Sequence, residues 1–319
     1  MYLNEFADSA DALDMTQFDE FSSLLRSAAD LGIPHSADVR YVSRNAVINH
    51  LRLHYLEWGE PDAPPVLVLH GGNQSAHSWD LVSLHLADRF HVYALDQRGH
   101  GDSEWARDSD YASEAMAADA LSFLAGHGVP QGQNGPIVMG HSMGGIVTMT
   151  LTVQQPEVPR ALVIVDSGPR FEAEGTKTIR DFITANVEFD SIDEFVDRVQ
   201  AYDPFRTREH MERTARYNLV QRADGKYISK SDRVLHQEGT RRAPASGERF
   251  SAHEVQRMSM PALVVRGERS NILAPEAAQA FSQALPQGSL VTVPECGHNV
   301  HTQNTPGFLE AIGPFLETL

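Results

Sequence analysis

Ile137-Val-Met-Gly140-His141-Ser142-Met143-Gly144-Gly145 decides how the rest of the chain is read. A short apolar run enters Gly-x-Ser-x-Gly, and a helical stretch from Ile146 to Gln154 follows, ended by Pro156. This pattern is a buried strand passing through a tight turn into a helix. The turn is so sharp that side chains at its flanks would collide, which accounts for Gly140 and Gly144. The helix points its N-terminal N–H groups and its dipole at the turn, so negative charge is favoured there. Gly-x-Ser-x-Gly by itself arises often by chance. The strand before it and the helix after it make it specific and mark Ser142 as a nucleophile.

A nucleophilic serine needs donors for the oxyanion and a base. One donor is expected from the N–H of Met143, directly after the nucleophile. The second should come from the loop after an earlier strand, where Leu69-His70-Gly71-Gly72-Asn73 stands. Glycine lets the backbone approach a substrate carbonyl closely, so the N–H of Gly72 is the first candidate and Asn73 the second. The base must be chosen by position, since the chain holds 15 histidines. His298, in Pro294-Glu295-Cys296-Gly297-His298, lies on a loop between a late apolar run and a terminal helix. His301 competes but lacks the preceding glycine. His70 and His141 are expected to hold the two motif loops in shape. No metal is expected: the chain has no HExxH, and Cys and His are not clustered at zinc spacings.

Outward from this motif, short apolar runs recur at 66–69, 92–95, 137–139, 161–165, 262–265 and 290–293. Helical patterns separate them near 79–89, 114–126, 143–154, 275–284 and 306–317. Continuous apolar runs indicate strands covered on both faces. Their alternation with helices indicates an α/β fold with a mostly parallel twisted sheet flanked by helices. Val39 to Val42 and Leu51 to Leu56 alternate like an antiparallel pair ahead of it. The rhythm breaks over 170–255, which is polar and helix-prone and reads as a helical insertion. The expected organisation is therefore an acidic N-terminal extension over 1–39, a core of 40–169 and 256–319, and a cap of 170–255. Within the extension, Phe18, Phe21, Leu24, Leu25 and Ala28 predict one amphipathic helix over about 16–30, with Thr16 as its N-cap.

Composition sets the outer limits. The 319 residues carry 26 Lys+Arg against 43 Asp+Glu, a net charge of -17, and a single cysteine. Such a surface repels phosphate backbones and anionic lipid, so neither nucleic acid nor membrane is an expected partner. No stretch reaches the ~20 apolar residues of a membrane helix. The N-terminus lacks the basic and apolar regions of a signal peptide, so a cytoplasmic protein is expected. One cysteine excludes an intrachain disulfide. The expected partner is a small-molecule substrate; the N-terminal helix is expected to pack on the domain surface, with a homodimer contact or a flap over the site as the alternative.

Gly140-His-Ser-Met-Gly144, His70-Gly-Gly72, Asp96-Gln-Arg-Gly-His-Gly-Asp-Ser103 and Gly297-His298 together resemble the α/β-hydrolase superfamily over about 40–319. The likeness is strongest to its esterase, lactonase and C–C-hydrolase members. It implies a Ser–acid–His triad and no cofactor, and it makes the Asp96–Ser103 segment structural. The sequence departs from the pattern at the acid. Most relatives place an Asp after the penultimate strand in Gly-x-x-Asp, but here Gly267-Glu268-Arg269-Ser270-Asn271 puts Ser or Asn there. Some members place the acid after the strand that follows the nucleophile helix, which makes Asp166 the first candidate. Glu268 is the alternative acid, and Asn271 could orient the histidine without charge.

Ser142 rather than Asp at the elbow argues against dehalogenase and epoxide hydrolase chemistry. The expectation is hydrolysis of a carboxylic ester or lactone of a small, fairly apolar metabolite through an acyl-enzyme. The alternatives are a C–C or amide hydrolase of (hetero)aromatic catabolism and a non-catalytic binding protein on this fold. Asn73, Trp105, His141 and Arg170 are the candidate pocket residues, with Trp79 also near a motif loop. Phe171, Phe182, Phe189, Phe195, Tyr202, Phe205, Tyr217 and Tyr227 are candidate pocket walls.

Overall fold

The computed structural model describes residues 20–236 and 249–319. Helix α1 (Glu20–Asp30) is followed by β1 (Tyr41–Ile48), β2 (Leu51–Trp58), β3 (Pro65–Leu69), α2 (Asp80–Leu86), β4 (His91–Leu95), α3 (Ser113–Gly126), β5 (Ile137–His141), α4 (Met143–Gln154) and β6 (Ala161–Val165). Next come α5 (Ala173–Ala185), β7 (Glu188–Phe189), α6 (Ile192–Tyr202), α7 (Arg208–Asn218), β8 (Leu219–Gln221), β9 (Tyr227–Ser229) and α8 (Ala252–Arg257). The chain closes with β10 (Ala262–Gly267), α9 (Pro275–Ala284), β11 (Gly288–Val293), α10 (Val300–Gln303) and α11 (Thr305–Glu317).

Among the described residues eight strands form one sheet in the order β1-β2-β4-β3-β5-β6-β10-β11. β1, β2 and β4 pair antiparallel, and every pairing from β4 to β11 is parallel. Alternate residues of one strand serve opposite faces. In β3, Leu67 and Leu69 enter one core cluster with α3 and α4, whereas Val66 and Val68 enter another with α1, α2 and α11. β6 divides the same way, Leu162 and Ile164 against Val163 and Val165. Burial on both faces is why these strands read as unbroken apolar runs.

The sequence places β1 too early and too short. It spans Tyr41–Ile48 and pairs Tyr41 with Trp58. As an edge strand with most of its side chains exposed, it carries little apolar alternation for a pattern to detect. Near 79–89 the structure has a 3-10 turn at Ala76–Trp79 leading into α2. The stretch between β6 and β10 holds helices as expected, and also a small antiparallel sheet in the order β7-β9-β8. Strands of two or three residues are too short to show a period of two. They close over a cluster of their own: Phe189, Val196, Val199, Met211, Ala215 and Leu219.

The amphipathic helix forms as α1, with Leu24 and Ala28 buried. Thr16 and Phe18 lie outside the described residues. α1 packs on α2 and α7, where Tyr217 Oη donates to Glu20 Oε2 at 3.0 Å. No helix among the described residues is long and apolar enough to cross a membrane.

Candidate active site

β5 delivers Ser142 to the carboxyl edge of the sheet, where it precedes α4 at φ 52 and ψ -112. A positive φ on a serine is strained, and the surroundings hold it. Its N–H donates to Val165 O at 3.0 Å, and its own carbonyl accepts from Ser167 Oγ at 2.9 Å. The glycine requirement is steric. A Cβ at Gly140 would lie 2.2 Å from Gly144 O, and one at Gly144 would lie 2.2 Å from Leu69 O.

Three side chains from three loops meet here. Ser142 Oγ lies 2.8 Å from His298 Nε2, and His298 Nδ1 lies 2.6 Å from Asp166 Oδ2. A carboxylate only accepts, so Nδ1 carries the ring proton and Nε2 accepts from Ser142. Asp166 follows β6 at φ 45 and is fully buried. Its Oδ1 accepts from Gly267 N at 3.1 Å, and its Oδ2 also accepts from Ser270 Oγ at 2.5 Å. A buried carboxylate needs such donors to remain charged. Glu268 does not approach His298: it is exposed, and Oε2 accepts from Glu295 N at 3.1 Å.

Ser270 is the contribution that sequence reasoning missed. It is one of the two residues, with Asn271, at which the resemblance leads one to expect the acid, and from there it reaches Asp166 at the end of β6. The usual position of that Asp was the available signal.

Gly72, Asn73, Met143 and His141 line one cavity with Ser142 and His298. Hydrogen bonds of His70 and His141 tie down the loops around the site. His70 Nδ1 donates to Gly71 O at 2.8 Å, and Nε2 accepts from Gln97 N at 3.0 Å. His141 Nε2 donates to the carbonyl of His298 at 2.9 Å. Burial, followed by the nearby His298 and His301 rings, drives the His141 pKa well below its ordinary value, so this ring stays neutral. His301 stacks on Trp79 with centroids 4.0 Å apart, and burial pushes it down to about 3. Its ring nitrogens make no hydrogen bond among the described residues, whereas His298 Nε2 meets Ser142 Oγ. Cys296 is fully buried behind the loop, and burial raises its thiol to about 11, leaving no useful thiolate.

A polar network missed by the sequence reading ties this loop to the inserted segment. Gln303 Nε2 donates to Asp203 Oδ1 at 2.8 Å, and Gln303 Oε1 accepts from Gly297 N at 2.6 Å. Gln74 Nε2 donates to Asn299 Oδ1 at 3.0 Å.

The cavity has a volume of about 1150 Å³. Phe171, Phe182, Phe195, Tyr202 and Phe205 line it. Phe189 and Tyr227 instead pack in or against the small cluster of the insertion, and Tyr217 stacks on His77. Three expected pocket residues lie elsewhere. Trp105 is 47% exposed and donates from Nε1 to Lys230 O. Arg170 is exposed and outside the cavity. Trp79 is fully buried against His301. Proximity in sequence to a motif loop did not predict direction in space.

His54, Asp96 and Asp102 bring three ligand atoms within 4.8 Å of one another. Their atoms already serve the fold. Asp96 accepts from His54, Ala76 N and Asp102 N, and Asp102 pairs with Lys230 at 2.6 Å. Burial acts to raise the Asp96 carboxyl, but the hydrogen bond and charge of His54 outweigh it and hold the group at about 2.

The family model described as the alpha/beta hydrolase family matches residues 66–311. The chain belongs to this family. It is 26% identical over 315 residues to an esterase of Mycobacterium tuberculosis, covering 96% of this chain and 98% of that one. It is 27% identical over 297 residues to a 2-(acetamidomethylene)succinate hydrolase of Mesorhizobium japonicum, covering 91% and 99%. The crystal structure of an alpha/beta hydrolase from Novosphingobium aromaticivorans matches with a TM-score of 0.76 at 27% identity, covering 88% of this chain and 99% of that one. Hydrolase is the chemical class of this chain.

Proposed function

We propose that this hydrolase cleaves a carboxylic ester or lactone of a small, mostly apolar molecule through an acyl-enzyme on Ser142. The carrying observation is the unbroken hydrogen-bonded line Asp166–His298–Ser142 at the wall of the cavity. Ser142 Oγ attacks the carbonyl while His298 Nε2 takes its proton. Asp166 orients the ring and stabilises the imidazolium that forms. The N–H groups of Met143 and Gly72 receive the oxyanion, with that of Asn73 adjacent. One such donor contributes on the order of 10²–10³ in turnover. His298 then protonates the leaving group and activates the water that releases the acid. The insertion over 170–255 acts as a cap whose aromatic residues form the substrate wall.

Amide hydrolysis is the second reading, motivated by the relative named for an acetamido substrate. The non-catalytic alternative rested on the missing aspartate near 270. Asp166, hydrogen-bonded to His298, removes its motive. Initial rates across matched alkyl esters, lactones, amides and a dienoate C–C substrate test the proposal. Esters or lactones should exceed the other classes in kcat/KM by at least about tenfold, and a panel led by amides or C–C substrates would overturn it.

A further inference from the structure

The cavity beside Ser142 contains uncompensated positive charge in a chain that is otherwise strongly acidic. Four arginines line it: Arg180, Arg206, Arg249 and Arg269. Arg206 pairs with the buried Asp203 at 3.1 Å. Among the described residues the other three guanidinium groups have neither a carboxylate partner nor a side-chain hydrogen bond. Bases are outnumbered 26 to 43 in this sequence, so three arginines without acid partners on one cavity, Arg249 half-buried and Arg180 and Arg269 exposed, run against the composition. The acids on the same wall are already engaged. Glu254 caps its own helix through Ser251, Asp203 accepts from Gln303, Asn299 and Arg206, and Glu114 accepts from Ser113 Oγ at 3.2 Å, so four arginines face three acids.

Arg249 is the best placed of the three. Its N–H is fixed to Pro169 O at 2.8 Å, three residues past Asp166. Its guanidinium carbon lies 5.4 Å from the ring centroid of Phe171, another cavity residue. Stacking of this kind fixes the plane of the group and leaves its N–H edge free to donate. Burial pushes its pKa below the usual arginine value, the mark of a charge held without an acid beside it. Arg269 repeats the arrangement on the histidine side, 5.8 Å from the Phe205 centroid. A guanidinium fork in a partly dry, aromatic site matches a carboxylate, which it binds through two parallel hydrogen bonds.

We propose that Arg249, assisted by Arg269, binds a carboxylate on the substrate, so that the preferred substrate is an ester of a dicarboxylic acid whose second carboxylate remains free. This rests on the ester reading above and narrows it: the apolar body lies along the phenylalanines and the charged end meets Arg249. It places Arg249 and Arg269, rather than Arg170, at the cavity.

The experiment compares monomethyl adipate with methyl hexanoate, which differ at one end as carboxylate against methyl. Released methanol is measured at low salt. Wild type should favour the anionic ester in kcat/KM by about tenfold or more, a charge-assisted hydrogen bond pair being strong enough for that. Arg249→Gln should reduce this ratio by about tenfold, Arg249→Lys should recover part of it, and Arg170→Gln should leave it intact. Calorimetry of monomethyl adipate on Ser142→Ala, with and without Arg249→Gln, reads binding apart from turnover. A ratio near one in wild type, with both esters cleaved, overturns the carboxylate site and leaves the ester reading standing. No cleavage of either ester, but binding that depends on Arg249, supports the site and overturns the ester reading. Absence of both cleavage and binding overturns both.

Discussion

Replacing Asp166 by Asn probes the acid at its one irreplaceable property. The carboxylate is fully buried and accepts three hydrogen bonds, from His298 Nδ1, Ser270 Oγ and Gly267 N. An amide has a single acceptor oxygen. If that oxygen faces Gly267, the NH₂ group faces His298 and forces the ring proton onto Nε2, where it points at Ser142 and cannot accept. If the oxygen faces His298, two N–H donors oppose each other across the 3.1 Å contact with Gly267. In both cases the imidazolium loses its counter-charge. A wrong tautomer in a triad of this kind costs on the order of 10⁴ in kcat, or about 5.5 kcal/mol of barrier. The opposed buried donors add about 1–3 kcal/mol of lost stability. The assay is kcat on the best ester of the panel, alongside thermal unfolding followed by circular dichroism. Glu268→Gln is the companion: among the described residues its carboxylate meets only Glu295 N at the surface, so kcat should remain within about twofold. Folded Asp166→Asn retaining more than a tenth of wild-type kcat would refute this reasoning.

Two further outcomes follow from the same geometry. Ser270→Ala removes a 2.5 Å hydrogen bond to the buried carboxylate. It should lower kcat about tenfold or more with little change in KM, since a hydrogen bond to a charged group contributes about 1.5–3 kcal/mol; an equal loss through KM would argue against a positioning role. His301 is held at about 3 in the fold, below the ~6.5 of an unfolded histidine. Between these values the unfolded chain binds the extra proton, so stability falls as pH drops. Urea unfolding at pH 6.5 and 5 should show wild type losing about 1.6 kcal/mol more than His301→Phe over that interval, and equal losses would count against it.

Ser142 and His298 were legible because each lies in a local motif with one conformational solution. Gly140 and Gly144 permit the elbow, and Gly297 precedes the loop histidine. Asp166 was harder, because a carboxylate at a strand end also suits a purely structural role. Only the pairing of β6 beside β10 brings Ser270 to Asp166, whose carboxylate also meets His298. The core strands were readable since both faces are buried, whereas β1 was misplaced because its side chains are mostly exposed. The cavity arginines were invisible for a further reason. Arg170 and Arg249 are nearly 80 positions apart in sequence, and whether a guanidinium faces solvent or cavity depends on how the insertion packs. The aromatic residues of that segment divided for the same reason, with Phe171 and Phe205 on the wall and Phe189 in a core of its own.

The central claim is that Ser142 is the nucleophile, activated through His298 and Asp166. A fluorophosphonate reacts only with an activated serine, and peptide mass mapping locates the adduct. The account predicts one adduct, on Ser142, formed in step with loss of ester turnover, absent in Ser142→Ala and slowed by orders of magnitude in Asp166→Asn. An active preparation that carries the label elsewhere, or that keeps its turnover fully labelled, would contradict it.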